Sequence, residues 1–121
     1  MPTPPKRWPL KDRKIVKTIR QLAADPTKVH ATARSMRDMA TLRITIAGVC
    51  QAICEWIDAG EQITETITRY DEEHVGEPAY ELYPIFADVD MFIKVTITER
   101  GSDQELLLVI SAHRQEGGRR P

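Results

Sequence analysis

Hydrophobic residues recur at helical spacing near the start of the chain. Ile15, Ile19 and Leu22 fall at positions i, i+4 and i+7, while lysine and glutamine side chains take the positions between them. This spacing predicts an amphipathic helix that begins near residue 10. Pro26 ends it, because proline cannot continue a helix and restricts the residue before it.

A clearer helical pattern follows Thr45, whose side chain is suited to capping the first turn. Apolar residues then occupy six positions of one helical face, namely Ile46, Val49, Cys50, Ile53, Cys54 and Ile57. Gly60 is a suitable C-terminal stop. Before this helix, residues 28–32 are expected to form a short strand or an extended link, and Thr32 or Ser35 is expected to cap a shorter helix.

From residue 63 onward the hydrophobic period changes to two, which is typical of strands. Strands are predicted over residues 63–70 and 79–86, and a hairpin is predicted over residues 91–114 with its turn at 101–103. Helices therefore precede a four-stranded antiparallel meander. The predicted fold class is α+β, with N-terminal helices packed on one face of a small antiparallel sheet.

The length of 121 residues suits one domain, which we place at residues 10–114. Residues 1–9 contain four prolines and predict a flexible arm, and residues 115–121 predict a flexible tail. The N-terminus has no apolar segment like that of a secretory signal, and no apolar run reaches the ~20 residues of a membrane span. We therefore expect a cytoplasmic protein without a membrane partner.

The net charge of −1 hides a separation of charge along the chain. Residues 1–43 carry eleven Lys and Arg against three Asp, and residues 44–100 carry three against twelve Asp and Glu. The basic part suits a polyanion such as RNA, or it is simply a solvated basic helix. The candidate RNA-binding residues are Lys11, Arg13, Lys14, Lys17 and Arg20.

No metal-binding spacing, phosphate loop or paired-cysteine motif occurs in the chain. Cys50 and Cys54 lie on one face of the predicted third helix, and we interpret them as small core residues. We expect neither a metal nor another cofactor.

The second strand of the hairpin ends in His113 and Arg114. The alternation places Leu106, Leu108 and Ile110 on the other face of this strand, and we consider the case in which the helices cover that face. His113 would then share an uncovered face with Lys94 of the neighbouring strand. A histidine with two cations nearby can serve phosphoryl transfer as an acid or base that is supported by positive charge.

An ordered series of segments in this chain resembles the motility quorum-sensing regulator toxins. The segments are residues 42–53, 65–68, 80–84, 91–97 and 107–111. The resemblance implies a RelE-like fold and the activity of a metal-independent mRNA interferase that a cognate antitoxin neutralises. Tyr83 and Lys94 match residues of the family's motifs. Tyr80, Phe92 and His113 stand where the family has Gln, Tyr and Lys.

Two functional hypotheses follow. In the first, the protein is the toxin of a type II toxin–antitoxin system, an endoribonuclease that leaves a 2′,3′-cyclic phosphate. His113 would be the acid or base, Arg114, Arg69 and Lys94 would stabilise the phosphorane charge, and Tyr80 or Tyr83 would orient a base or a proton. Its partners would be mRNA, a cognate antitoxin and, as a further candidate, the ribosome. In the second, the fold is a non-catalytic RNA-binding or protein-interaction module.

Overall fold

The computed structural model describes residues 7–67, 77–100 and 104–115, except the side chain of Arg100. The helices in this part of the chain are α1 (Arg13–Ala23), α2 (Ala33–Leu42) and α3 (Ile46–Asp58), and a 3-10 turn spans Pro26–Lys28. No single described helix is long and apolar enough to cross a membrane. Only α2 and α3 together meet the length and composition required, and they are bent by 87° at their junction.

Polar side chains set the starts of the helices. Helix α1 begins three residues later than predicted, because the Asp12 carboxylate accepts the amide hydrogen of Lys14 at 2.9 Å. Thr32 caps α2, and Thr45 caps α3 as predicted by accepting the amide hydrogen of Gly48 at 3.1 Å. Each cap accepts a backbone amide hydrogen of the first turn that has no partner within the helix.

Seven strands of the described residues form the sheet. They are β1 (Arg7–Pro9), β2 (Val29–Ala31), β3 (Thr64–Ile67), β4 (Pro78–Leu82), β5 (Ile85–Phe86), β6 (Val89–Arg100) and β7 (Gln104–Arg114). Their order across the sheet is β1-β3-β4-β6-β7-β2, and β5 lies off this path and pairs with β6. The predicted antiparallel meander is confirmed as β3-β4-β6-β7, and so is the α+β class.

Both edges of the sheet differ from the predicted meander. Residues 7–9, the last part of the predicted flexible arm, form β1 antiparallel to β3. Pro9 is tolerated there because an edge strand leaves one side of its backbone without a ladder partner. Residues 29–31 form β2, which runs parallel to β7 at the other edge. The predicted strand over residues 79–86 is divided at Pro84, and β5 turns back onto β6. Residues 1–6, 68–76, 101–103 and 116–121, with most of the predicted tail, lie outside the described residues.

Helices and sheet enclose one main hydrophobic core. We call the sheet face that meets the helices the inner face and the opposite face the outer face. The inner face buries Leu82, Ile93, Val95, Leu107 and Val109, and the helices add Ile19, Val49 and Ile53. Along β6, the inner-face residues Ile93 and Val95 alternate with Lys94 and Thr96, which lie on the outer face.

A β-bulge decides which face His113 occupies. Val95 pairs with Val109 but Lys94 pairs with Ser111, so Ile110 is an extra residue in β7. The helices do not cover the face carrying Leu106, Leu108 and Ile110, the case considered above, because Leu107 and Val109 meet them instead. Since the bulge shifts the alternation by one residue, His113 still shares a face with Lys94, as predicted.

Candidate active site on the outer face of the sheet

Three rings form an aromatic row across the outer face. Phe92 lies opposite His113 in the β6–β7 ladder, and their ring centroids are 5.3 Å apart. Tyr83, one residue beyond β4, meets Phe92 edge-on with centroids 5.5 Å apart. Phe92 and His113 are partly exposed, whereas Tyr83 is buried. The row therefore offers a solvent-accessible ring next to an imidazole.

The backbone determines the tautomer of His113. Its Nδ1 lies 2.7 Å from the carbonyl oxygen of Arg114, and a carbonyl oxygen only accepts hydrogen bonds. Nδ1 therefore carries the hydrogen in the neutral ring, which leaves the Nε2 lone pair available. A partly exposed imidazole oriented in this way can take up or donate a proton through Nε2.

A row of charged and polar side chains runs beside the aromatic row. Glu81 faces Lys94 across the β4–β6 ladder, and Lys94 faces Ser111 across the β6–β7 ladder. Glu81 is 0% exposed and Lys94 is 3% exposed. Burial lowers the pKa of Lys94, while the negative charge of Glu81 opposes that effect. Lys94 was predicted to stabilise the phosphorane charge, and the structure places its side chain beneath the surface rather than in contact with solvent.

The Glu81 carboxylate also binds Arg7 of strand β1. Arg7 Nε lies 3.0 Å from Oε1 and Arg7 Nη2 lies 3.4 Å from Oε2. The Tyr83 hydroxyl lies 3.5 Å from the same Oε1. Burial, together with the charge of Glu81, raises the pKa of Tyr83 to about 12. Tyr83 therefore keeps its proton at neutral pH and acts as a hydrogen-bond donor.

The structure separates two other predicted catalytic residues, Tyr80 and Arg114, from His113. Tyr80 lies on the inner face, where burial raises the pKa of its hydroxyl, so the structure does not bring it together with His113. Arg114 lies opposite the buried Met91, and alternation directs its side chain away from the face of His113. Arg69 lies outside the described residues.

The predicted RNA-binding residues lie on the helical side of the sheet. Lys11, Arg13, Lys14 and Lys17 are exposed at the start of α1. Arg20 is bound to Asp58 of α3 through two hydrogen bonds of 2.9 Å, which raise the pKa of its guanidinium. Because α1 packs on the inner face, these residues and His113 lie on opposite sides of the sheet.

Sequence reasoning missed the pairing of Arg7 with Glu81. Arg7 stands in a proline-rich segment, and 74 residues separate it from Glu81, so no local pattern connects them. Glu81 did carry a signal, because it interrupts the otherwise apolar strand segment of residues 79–83. A carboxylate buried in a strand needs a charged or hydrogen-bonding partner.

Within residues 7–67, 77–100 and 104–115, no three His, Cys, Asp or Glu side chains cluster so that they could hold a metal ion. Comparison of the chain with protein-family models, curated proteins and solved structures gives no match. The resemblance to the motility quorum-sensing regulator toxins therefore stays a prediction from the sequence.

Proposed function

We propose that this protein is an endoribonuclease that cleaves RNA on the outer face of its sheet without a metal ion. The observation that carries the proposal is the orientation of His113, whose Nδ1 donates to the Arg114 carbonyl and leaves Nε2 available beside Phe92. Nε2 accepts the proton of an RNA 2′-hydroxyl as its oxygen attacks the adjacent phosphorus. The same proton then passes to the departing 5′-oxygen, so the products are a 2′,3′-cyclic phosphate and a 5′-hydroxyl.

The neighbouring side chains support this chemistry. The partly exposed Phe92 ring offers a surface on which a nucleotide base stacks, a contact that any of the four bases can make. Lys94, beneath the surface, adds positive potential where negative charge develops on the phosphorane. Tyr83 orients the carboxylate of Glu81 and supports Phe92 from the side away from His113.

The family resemblance supplies the biological part of the proposal. As a relative of the motility quorum-sensing regulator toxins, the protein would be the toxin of a type II toxin–antitoxin system that acts on mRNA in the cytoplasm. A cognate antitoxin would neutralise it, and the ribosome is a further candidate partner. The ordered series of strand segments, from residues 65–68 to residues 107–111, supports this assignment.

The basic start of α1 is proposed as a second RNA contact, on the helical side. Its support is the exposure of Lys14 and Lys17, which form no ion pair with any described residue. Reversal of both lysines to glutamate should weaken RNA binding and reduce its dependence on salt, because fewer phosphate counterions are released. Affinity and salt dependence equal to those of the wild type would contradict this contact.

The direct test of the proposed function is cleavage of single-stranded RNA by the purified protein in the presence of a metal chelator. We expect cleavage to persist, and the 5′ fragments to end in a 2′,3′-cyclic phosphate, because the 2′-oxygen is the nucleophile. Fragments ending in a 3′-hydroxyl would contradict the mechanism. Intact RNA together with measurable RNA binding would instead support the non-catalytic RNA-binding alternative.

A further inference from the structure

The guanidinium of Arg7 is held in place from another strand of the sheet. Arg7 pairs with Thr66 in the β1–β3 ladder, yet its side chain crosses β3 and binds Glu81 of β4. Glu81 is fully buried between its neighbours in the sheet, so its carboxylate is a rigid support. The guanidinium is thereby positioned before any ligand arrives.

Arg7 keeps hydrogen-bonding capacity beyond its contact with Glu81. An arginine has five N–H donors, and Glu81 takes one from Nε and one from Nη2. The remaining donors on Nη1 and Nη2 have no acceptor in the part of the chain that the structure describes. The side chain is 41% exposed, so these donors are accessible to a ligand. Paired N–H groups of this kind match the oxygen atoms of a phosphate.

Arg7 and His113 are too far apart to act on the same phosphate. Glu81, which holds Arg7, lies on β4, and His113 lies two strands away on β7. The residue of β7 level with Glu81 is Ser111, so His113 is also displaced by two residues along its strand. With the usual strand spacing, the Cα atoms of Glu81 and His113 are about 12 Å apart. A chain that places its reacting phosphate at Nε2 of His113 would therefore bring a different phosphate to Arg7.

We infer that Arg7, held by Glu81, binds a non-reacting phosphate of a single-stranded RNA whose reacting phosphate lies at His113. The inference rests on the proposed function for the position of the RNA. The phosphate contact itself affects RNA affinity and can be measured without cleavage. In this arrangement β1 completes the RNA site, so the N-terminal strand has a role in binding as well as in the sheet.

The test measures binding separately from cleavage. The probe is a ten-nucleotide RNA with a 2′-methoxy group on every sugar, which cannot be cleaved by the proposed mechanism. We expect Arg7→Gln to bind it roughly tenfold more weakly, because a hydrogen bond to a charged group is lost. Arg7→Lys should bind with intermediate affinity, since it keeps the charge but loses the planar fork. The control is Arg37→Gln on α2, which removes another exposed arginine and should bind the probe like the wild type.

A second measurement distinguishes direct contact from a structural role of Arg7. Each phosphate of the probe is replaced in turn by an uncharged methylphosphonate. At one position, the methylphosphonate should lower the affinity of the wild type for the probe roughly tenfold. The same replacement should not lower the affinity of Arg7→Gln, because this variant already lacks the contact. Equal losses for both proteins at every position would overturn the inference.

The two proposals can fail separately. If the wild type leaves unmodified RNA intact but the methylphosphonate pattern depends on Arg7, the proposed nuclease activity is wrong and the phosphate contact stands. If the wild type cleaves RNA and Arg7→Gln binds the probe as tightly as the wild type, the nuclease stands and the inference about Arg7 is wrong. Failure of the wild type to bind the probe overturns the inference.

Discussion

Replacement of His113 by alanine is expected to lower the rate of RNA cleavage by at least about a hundredfold, because a positioned acid–base group contributes that much or more. The imidazole is oriented by its bond to the Arg114 carbonyl, and alanine leaves no ring nitrogen at this position. The measurement is the cleavage rate of a single-stranded RNA at saturating protein. RNA affinity should change far less than the rate, since Phe92 and Arg7 remain.

The matched control is His30→Ala. His30 lies on β2 opposite Leu108, where it is exposed and away from the aromatic row. The His30→Ala variant should therefore cleave RNA at the wild-type rate. Free imidazole added to His113→Ala should restore part of the rate, because it replaces the missing proton acceptor. A merely structural role for His113 would not give this rescue. Full activity of His113→Ala would remove this residue from the mechanism.

Replacement of Glu81 by glutamine is expected to lower the free energy of unfolding by roughly 3 kcal/mol or more. Glu81 is fully buried, and its charge lies between the guanidinium of Arg7 and the buried ammonium group of Lys94. The amide removes that negative charge and leaves both cations in place. The measurement is urea-induced unfolding followed by circular dichroism.

Two comparisons test the cause of this loss. Asp58→Asn removes an acid that binds Arg20 on the surface. This variant should lower the free energy of unfolding far less than Glu81→Gln does, because solvent screens exposed ion pairs. The double variant Glu81→Leu/Lys94→Leu should recover much of the stability, since an apolar pair needs no compensating charge. If Glu81→Gln unfolds at the same urea concentration as the wild type, Glu81 does not stabilise the two cations.

Local patterns account for most of the secondary structure. The apolar face from Ile46 to Ile57 and the capping hydroxyl of Thr45 correspond closely to helix α3. The alternation from Met91 onward corresponds to β6. These predictions succeed because each depends on contacts between residues that are near in sequence and on one buried face.

The same patterns were less informative about the candidate site. His113 and Lys94 were placed on one face for the wrong reason, since the bulge at Ile110 reverses the face of every residue that follows it. An inserted residue in a strand leaves no mark in an apolar run such as Leu106–Ile110. Tyr80 and Tyr83 were equally good candidates by type, and only the register placed one in the core and the other beside Phe92.

By itself, the sequence determined the α+β class, the three helices, the antiparallel meander and the basic character of α1. Tertiary structure alone decided that a bulge at Ile110 directs His113 to the outer face, that residues 7–9 and 29–31 form the edge strands, and that Arg7 binds Glu81. The physical reason is the range of the interactions. Periodicity reports the burial of neighbouring residues, whereas a bulge or an ion pair across 74 residues depends on how distant strands align.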